Sequence, residues 1–135
     1  MTNSEASTSA SAAGANEAML QLDALELIPG IRVMSVRGEL DILTSPALVK
    51  RICLELAAGP RGLILDLSHV AFLGSSGISA LLQTRDAAFR SNVPLRLVCP
   101  SRSVLRPLEA TGVAGLFAIS TTLSEALSYH NVDMR

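Results

Sequence analysis

The chain has 135 residues, 11 Lys+Arg against 12 Asp+Glu for a formal net charge of −1, and is 49% hydrophobic but only 3% aromatic. At roughly 100–200 residues per domain this length supports one compact core and excludes a two-domain enzyme. The near-neutral charge excludes a polyanion binder, which concentrates Lys and Arg on one face, so no nucleic-acid partner is expected.

Residues 1–19 are mostly Ser, Ala, Thr and Asn. They can bury too little surface to offset the entropy of ordering, and a flexible low-complexity tail is expected there, with the folded domain at 20–135. Residues 1–31 hold four acids and no base; the remainder carries 11 basic and 8 acidic groups, a charge of +3. The first basic residue is Arg32, so the start lacks the charged region of a signal or transit peptide. No apolar run approaches the ~18 residues of a membrane span. A cytoplasmic protein with no membrane partner is expected.

From Leu20 the pattern becomes regular. Leu20–Leu27 alternates in part, Ile28-Pro29-Gly30 is a turn signal, and Ile31–Gly38 reads as a second strand, together a hairpin. Thr44 or Ser45 can cap a helix with Pro46 in its first turn and Leu48, Ile52 and Leu56 on one face, stopped by Gly59-Pro60. Gly62–Leu67 is a continuous apolar run suited to a strand buried on both faces. A loop over Ser68–Ser75 then leads into a helix with Ile78, Leu81, Leu82 and Phe89 on its apolar face. Pro94–Cys99 is another strand. Ser103 as N-cap would put Pro107 in the first turn of a third helix, where its missing N–H costs nothing, and Gly112 ends that helix. Leu116–Ile119 gives a short strand, and Thr122 with Glu125 makes a capping box for a last helix running to about His130. The order ββαβαβαβα predicts a single α/β domain with one mixed β-sheet and helices packed on it.

Most catalytic constellations are missing from the sequence. His69 and His130 have no Cys, Asp or Glu at metal-ligand spacing, so no metal is expected. Gly74-Ser-Ser-Gly77 falls short of G-x-S-x-G, because Ile78 stands where that motif has its second glycine. Lys50 is the only lysine and no G-x-x-x-x-G-K occurs, which excludes a Walker-type nucleotide site. No cofactor and no enzymatic activity are expected. What remains is a strand running through a short loop into Ser75 and Ser76 at a helix start. Either serine can be a plain N-cap. Alternatively one is a phospho-acceptor, since a phosphate of about −1.5 to −2 charge sits well against free backbone N–H groups and the positive end of a helix dipole.

Two stretches, Val36-Arg-Gly-Glu-Leu-Asp41-Ile-Leu-Thr44-Ser-Pro46 and Leu63-Ile-Leu-Asp66-Leu-Ser68-His-Val70-Ala-Phe-Leu73-Gly-Ser75-Ser76-Gly77, resemble the two signature motifs of STAS domains, most closely those of bacterial anti-sigma factor antagonists. The resemblance spans roughly Leu20 to His130. It implies a protein that binds an anti-sigma factor, itself a serine kinase, and so frees a sigma factor. It further implies that the kinase phosphorylates Ser76, with Ser75 the lesser candidate, and that a phosphatase reverses this. Asp41, Thr44 and Pro46, together with Gly74, Ser75, Ser76 and Gly77, are the implied partner-binding residues, Asp41 as an anion beside the acceptor. The chain departs from the family at Gly74, where Asp is usual; a possible cap and a charge are lost and backbone freedom is gained. The alternative reading is a non-phosphorylated STAS scaffold, or an accessory subunit of a transport or signalling complex. Cys53 and Cys99, too far apart in sequence for a CxxC pair, are expected as reduced thiols, with thiol regulation through the two as a further alternative.

Overall fold

The computed structural model describes residues 20–133, so the expected tail at 1–19 lies outside the described residues. Strands β1 (Leu20–Ile28) and β2 (Ile31–Leu40) form an antiparallel hairpin closed at Pro29-Gly30, where Gly30 adopts φ +83°. From β2 onward every strand runs parallel to its neighbour: β3 (Gly62–Leu73), β4 (Leu95–Val98) and β5 (Ile119–Ser120) extend the sheet in the order β1-β2-β3-β4-β5. Parallel neighbours require crossovers, and helices supply them. Helix α1 (Ser45–Ala57) joins β2 to β3, α2 (Ser75–Arg90) joins β3 to β4, and α3 (Arg102–Ala110) leads through a 3-10 turn (Ala114–Leu116) to β5; α4 (Leu123–Asp133) closes the domain.

The period-2 alternation of the strands divides the core. Met34, Val36, Leu63, Leu65 and Leu67 face one side with Leu48, Ile52 and Leu56 of α1, Ala80 and Leu81 of α2, and Val104 and Leu108 of α3. Ile31, Val33, Ile64 and Val98 face the other side, where α4 covers them with Ala126, Leu123 and Leu127. His130 is buried there, and a Cβ on Gly62 would come within 2.5 Å of its Nδ1, so β3 begins with the one residue that leaves room for the ring.

The element order agrees with the expectation, but several boundaries move. The segment expected as a loop from Ser68 is strand as far as Leu73. Two β-bulges explain the difference. Ser35 pairs with Asp66 but Arg37 with His69, and Gly38 pairs with Val70 but Glu39 with Phe72, so β3 twice carries one extra residue. Each extra residue reverses the facing of those that follow: the inward series runs Leu63, Leu65, Leu67, then Val70, then Leu73. The alternation that announces a strand is thereby lost. The first bulge is held by Asp66, whose carboxylate accepts hydrogen bonds from the N–H and hydroxyl of Ser68.

Helix α3 starts at Arg102 with Ser101 as N-cap, two residues ahead of the Ser103 cap that Pro107 suggests, and Pro107 lies inside it. The cost of the lost bond is offset by packing, since Val104 and Leu108 are fully buried. The strand expected at Leu116–Ile119 is the 3-10 turn followed by β5. Glu125 N–H donates to Thr122 Oγ1 and Glu125 Oε1 accepts from Thr121 N–H, the expected box displaced by one residue at its return bond. Phe89, expected on the apolar face of α2, is 83% exposed; it borders a shallow groove of about 290 Å³ with Leu116 and Phe117, at the far end of α2 from Ser76.

Candidate functional site

The site forms where β2 and β3, running parallel, deliver their chains to the same end of the sheet. Beyond β2, residues Asp41–Thr44 fold into a loop tied by its own side chains. Asp41 Oδ1 accepts the N–H groups of Leu43 and Thr44, both at 3.0 Å. The Thr44 hydroxyl accepts the N–H of Asp41 at 3.0 Å and donates to the Glu39 carbonyl at 2.6 Å, and Thr44 is wholly buried. Thr44 is the N-cap residue of α1 by position, yet its side chain makes no cap hydrogen bond; it is engaged with the loop behind it. Asp41 likewise shapes the loop rather than standing as a free anion. Turning inward to hold the backbone, these two residues leave Ile42 and Leu43 outside, 76% and 58% exposed.

Beyond β3, Gly74 donates its N–H to the carbonyl of Leu40 at 2.9 Å, clamping the end of one strand to the other. Gly74 is the N-cap of α2, with no side chain to cap. Its φ of −89° and ψ of −178° are ordinary extended backbone, so no glycine freedom is in use. A Cβ here would meet the edge of the half-exposed Phe72 ring at 3.0 Å and, at an ordinary 3.7 Å, the Leu40 carbonyl oxygen. Neither serine is the N-cap: Ser75 and Ser76 are the first two residues of the helix, Ser75 exposed and Ser76 partly buried. The first bond of the helix runs from Ile78 N–H to Gly74 C=O. The N–H groups of Ser75, Ser76 and Gly77 therefore lie ahead of the helical ladder, at the positive end of a helix whose first turn has no acidic side chain. Gly77 is buried and offers a partner no side chain; it lets the helix sit against Leu40 and Leu73.

Between α1 and α2 lies a groove of about 480 Å³. Ile42, Pro46, Val49 and Ala80 give it apolar walls, and Ser45, Lys50, Ser76, Ser79 and Gln83 line it with polar groups. Of the expected site residues, the structure gathers Pro46 and Ser76 in this groove; Asp41, Thr44, Gly74, Ser75 and Gly77 lie outside its lining, in the loop before α1 and at the start of α2. Sequence reasoning missed Ile42, Ser45 and Lys50. Two consecutive apolar residues between a strand and a capped helix, where turn residues are usual, were the available signal for Ile42-Leu43.

The two thiols are not brought together. Cys53 is exposed on the outer side of α1, whereas Cys99 is buried, and both are free. Burial, and secondly the carboxylate of Asp66, push the Cys99 thiol from 9.0 up to about 12. The folded chain thus holds this proton more tightly than the unfolded chain. The stability this contributes is complete below pH 9 and is lost as pH rises from 9 towards 12, at up to about 1.4 kcal/mol per pH unit. Urea unfolding between pH 8 and 10.5 should show a steeper decline for the native chain than for Cys99→Ala, and parallel curves would contradict the assignment.

Comparison with known proteins agrees with this geometry. Residues 24–126 match the STAS domain family. The anti-sigma-F factor antagonist RsfB of Mycobacterium tuberculosis is 35% identical over 99 residues, covering 73% of this chain and 80% of the relative. Among solved structures, an anti-sigma factor antagonist from Mycobacterium paratuberculosis superposes with a TM-score of 0.76 at 32% identity, covering 83% of this chain and 94% of the other. The Bacillus cell fate determinant SpoIIAA in its phosphorylated form shares the fold, with a TM-score of 0.61 at 18% identity over 80% of this chain and 97% of that one. No helix among the described residues is long and apolar enough to cross a membrane. With the family match spanning residues 24–126 and a relative 35% identical over 73% of the chain, on this mixed sheet, the chain belongs to the STAS domain family.

Proposed function

We propose that this protein is an anti-sigma factor antagonist, a cytoplasmic binding module rather than a catalyst. It docks an anti-sigma serine kinase on the Ile42-Leu43 loop and the α1–α2 groove, and so releases a sigma factor. One observation carries the reading: Ser76 lines an apolar-walled groove at the open N-terminus of a long helix, beside two exposed aliphatic side chains. The relatives named as antagonists support the same partner class.

Phosphorylation switches it off. The γ-phosphoryl of kinase-bound ATP passes to Ser76 Oγ, the hydroxyl proton leaves to a base of the kinase, and ADP departs. A phosphatase uses water to return serine and inorganic phosphate. The added group brings about −1.5 to −2 charges into a surface otherwise built for apolar contact, and desolvating it against a partner opposes binding. Ser75, exposed at the rim rather than lining the groove, is the weaker acceptor.

The test measures affinity for the cognate kinase with and without ATP. Ser76→Ala is expected to stay bound in ATP, while Ser76→Glu binds at least tenfold more weakly than the native chain, a loss of about 1.4 kcal/mol or more. Equal affinity of Ser76→Glu and the native chain would end the switch reading, and absence of added mass on the native chain after incubation with kinase and ATP would favour an unphosphorylated scaffold.

A further inference from the structure

Three features meet in the α1–α2 groove that partner docking does not explain. Ser45 is 95% buried in the groove wall, and its hydroxyl is buried with no hydrogen-bond partner. Such a group is costly unless something occupies it part of the time. Lys50, the only lysine of the chain, lines the same groove and is exposed, and it makes no ion pair among the described residues. Ser76 lines the same groove, with N–H groups ahead of the α2 ladder and no carboxylate in that first turn. A donor hydroxyl, an ammonium and a helix N-terminus are three groups that recognise one ligand class, a phosphate dianion.

We propose that the phosphate on Ser76 is captured within the chain's own groove by the Lys50 ammonium and the Ser45 hydroxyl, so that the switch closes the docking groove from inside. This rests on Ser76 as the acceptor and adds how the phosphorylated state is held. Repulsion by the partner alone would leave Lys50 and Ser45 without a role. Capture gives both one: the lysine moves from solvent onto the phosphate across the groove it already lines, and the buried hydroxyl gains an acceptor. The off state then stabilises the fold as well as blocking the partner.

The chain's single lysine makes the test direct. Phosphoserine is installed at position 76 during translation, which bypasses any kinase, and the full chain is treated with an amine-acylating reagent, the N-terminal amine serving as internal standard. Lys50 is expected to react at least about fivefold more slowly in the phosphorylated chain than in the unphosphorylated one. Phosphorylation is also expected to raise Tm in the native chain, by less in Ser45→Ala, and not at all in Lys50→Gln. Equal acylation of Lys50 in both forms, or an unchanged Tm gain in Lys50→Gln, overturns the capture. The two readings separate cleanly in a binding assay with the same material. Weak binding by a phosphorylated chain whose Lys50 stays reactive would leave the switch standing and remove the capture; undiminished binding would remove the switch itself.

Discussion

Replacing Thr44 with valine, a change of shape by almost nothing, is expected to destabilise the domain by about 3 kcal/mol. The hydroxyl is the only polar feature removed, but two backbone groups depend on it. The Glu39 carbonyl loses its donor at 2.6 Å and the Asp41 N–H loses its acceptor at 3.0 Å, in a position where Thr44 itself has no contact with water. Leaving a fully buried polar group unsatisfied costs about 1–3 kcal/mol; these two bonds are partly buried, so each is taken at about the middle of that range or below. Thr44→Ser keeps the hydroxyl and removes one methyl, for which about 1 kcal/mol is the expected loss. Chemical denaturation of the three chains decides the matter; a valine variant no less stable than the serine variant would show that the hydroxyl network is idle. A second readout lies in function. Freed from Thr44, the loop no longer presents Ile42 and Leu43 in one arrangement, and affinity for the anti-sigma partner is expected to fall by about tenfold through the added cost of ordering.

Gly77→Ala is the second large effect, and it has the opposite sign from helix propensity. Alanine in a helix is favoured over glycine by up to about 1 kcal/mol. At Gly77, however, a Cβ would lie 2.7 Å from Leu73 Cδ1, 2.8 Å from Leu40 Cβ and 2.8 Å from the Leu40 carbonyl oxygen. The Leu73 methyl can turn aside, but the Leu40 carbonyl cannot, because it accepts the N–H of Gly74 at 2.9 Å. Overpacking of this kind costs about 1–3 kcal/mol, so a net loss of about 2 kcal/mol is expected. Gly115, around which nothing lies within 4 Å of a Cβ, is the matched control, and Gly115→Ala should be close to neutral. Because the strain falls between Leu40 and the first turn of α2, it displaces Ser76 as well. The rate of phosphorylation should therefore drop in Gly77→Ala and not in Gly115→Ala.

These two residues also show how far the sequence could be read. Both belong to motifs visible in the chain, and both were expected to meet a partner. In the structure Thr44 and Asp41 fold the loop and Gly77 packs the helix, and the Ile42-Leu43 pair is what stands exposed beside them. A residue type within a motif indicates that a position is constrained, whereas the source of the constraint depends on what lies opposite. For Gly77 that is Leu40, 37 positions away in the chain. Ser45 and Lys50 were not legible as site residues for the same reason: nothing local to α1 shows that α2 lies beside it.

The boundaries moved where local rules compete with packing. β3 loses its alternation at two bulges, so the strand beyond Leu67 carries no period-2 signal in the sequence; the first bulge is held by the bonds of Ser68 to Asp66. Pro107 argues for a later helix start, yet burial of Val104 in α3 outweighs one missing hydrogen bond. Phe89 fits the periodicity of α2 but falls beside its buried stripe, which in the last turn is carried by Ala88.

The sequence by itself determined the number and order of the elements, the hairpin turn at Gly30, the hydrophobic faces of α1 and most of α2, and the family, since these follow from periodicity, turn chemistry and contiguous motifs that neighbouring residues impose on one another. Only the tertiary structure decided which serine lines the groove, which hydroxyl is left unbonded, and that the single lysine lines the same groove, because those are relations between segments that the parallel pairing of β2 and β3 brings together.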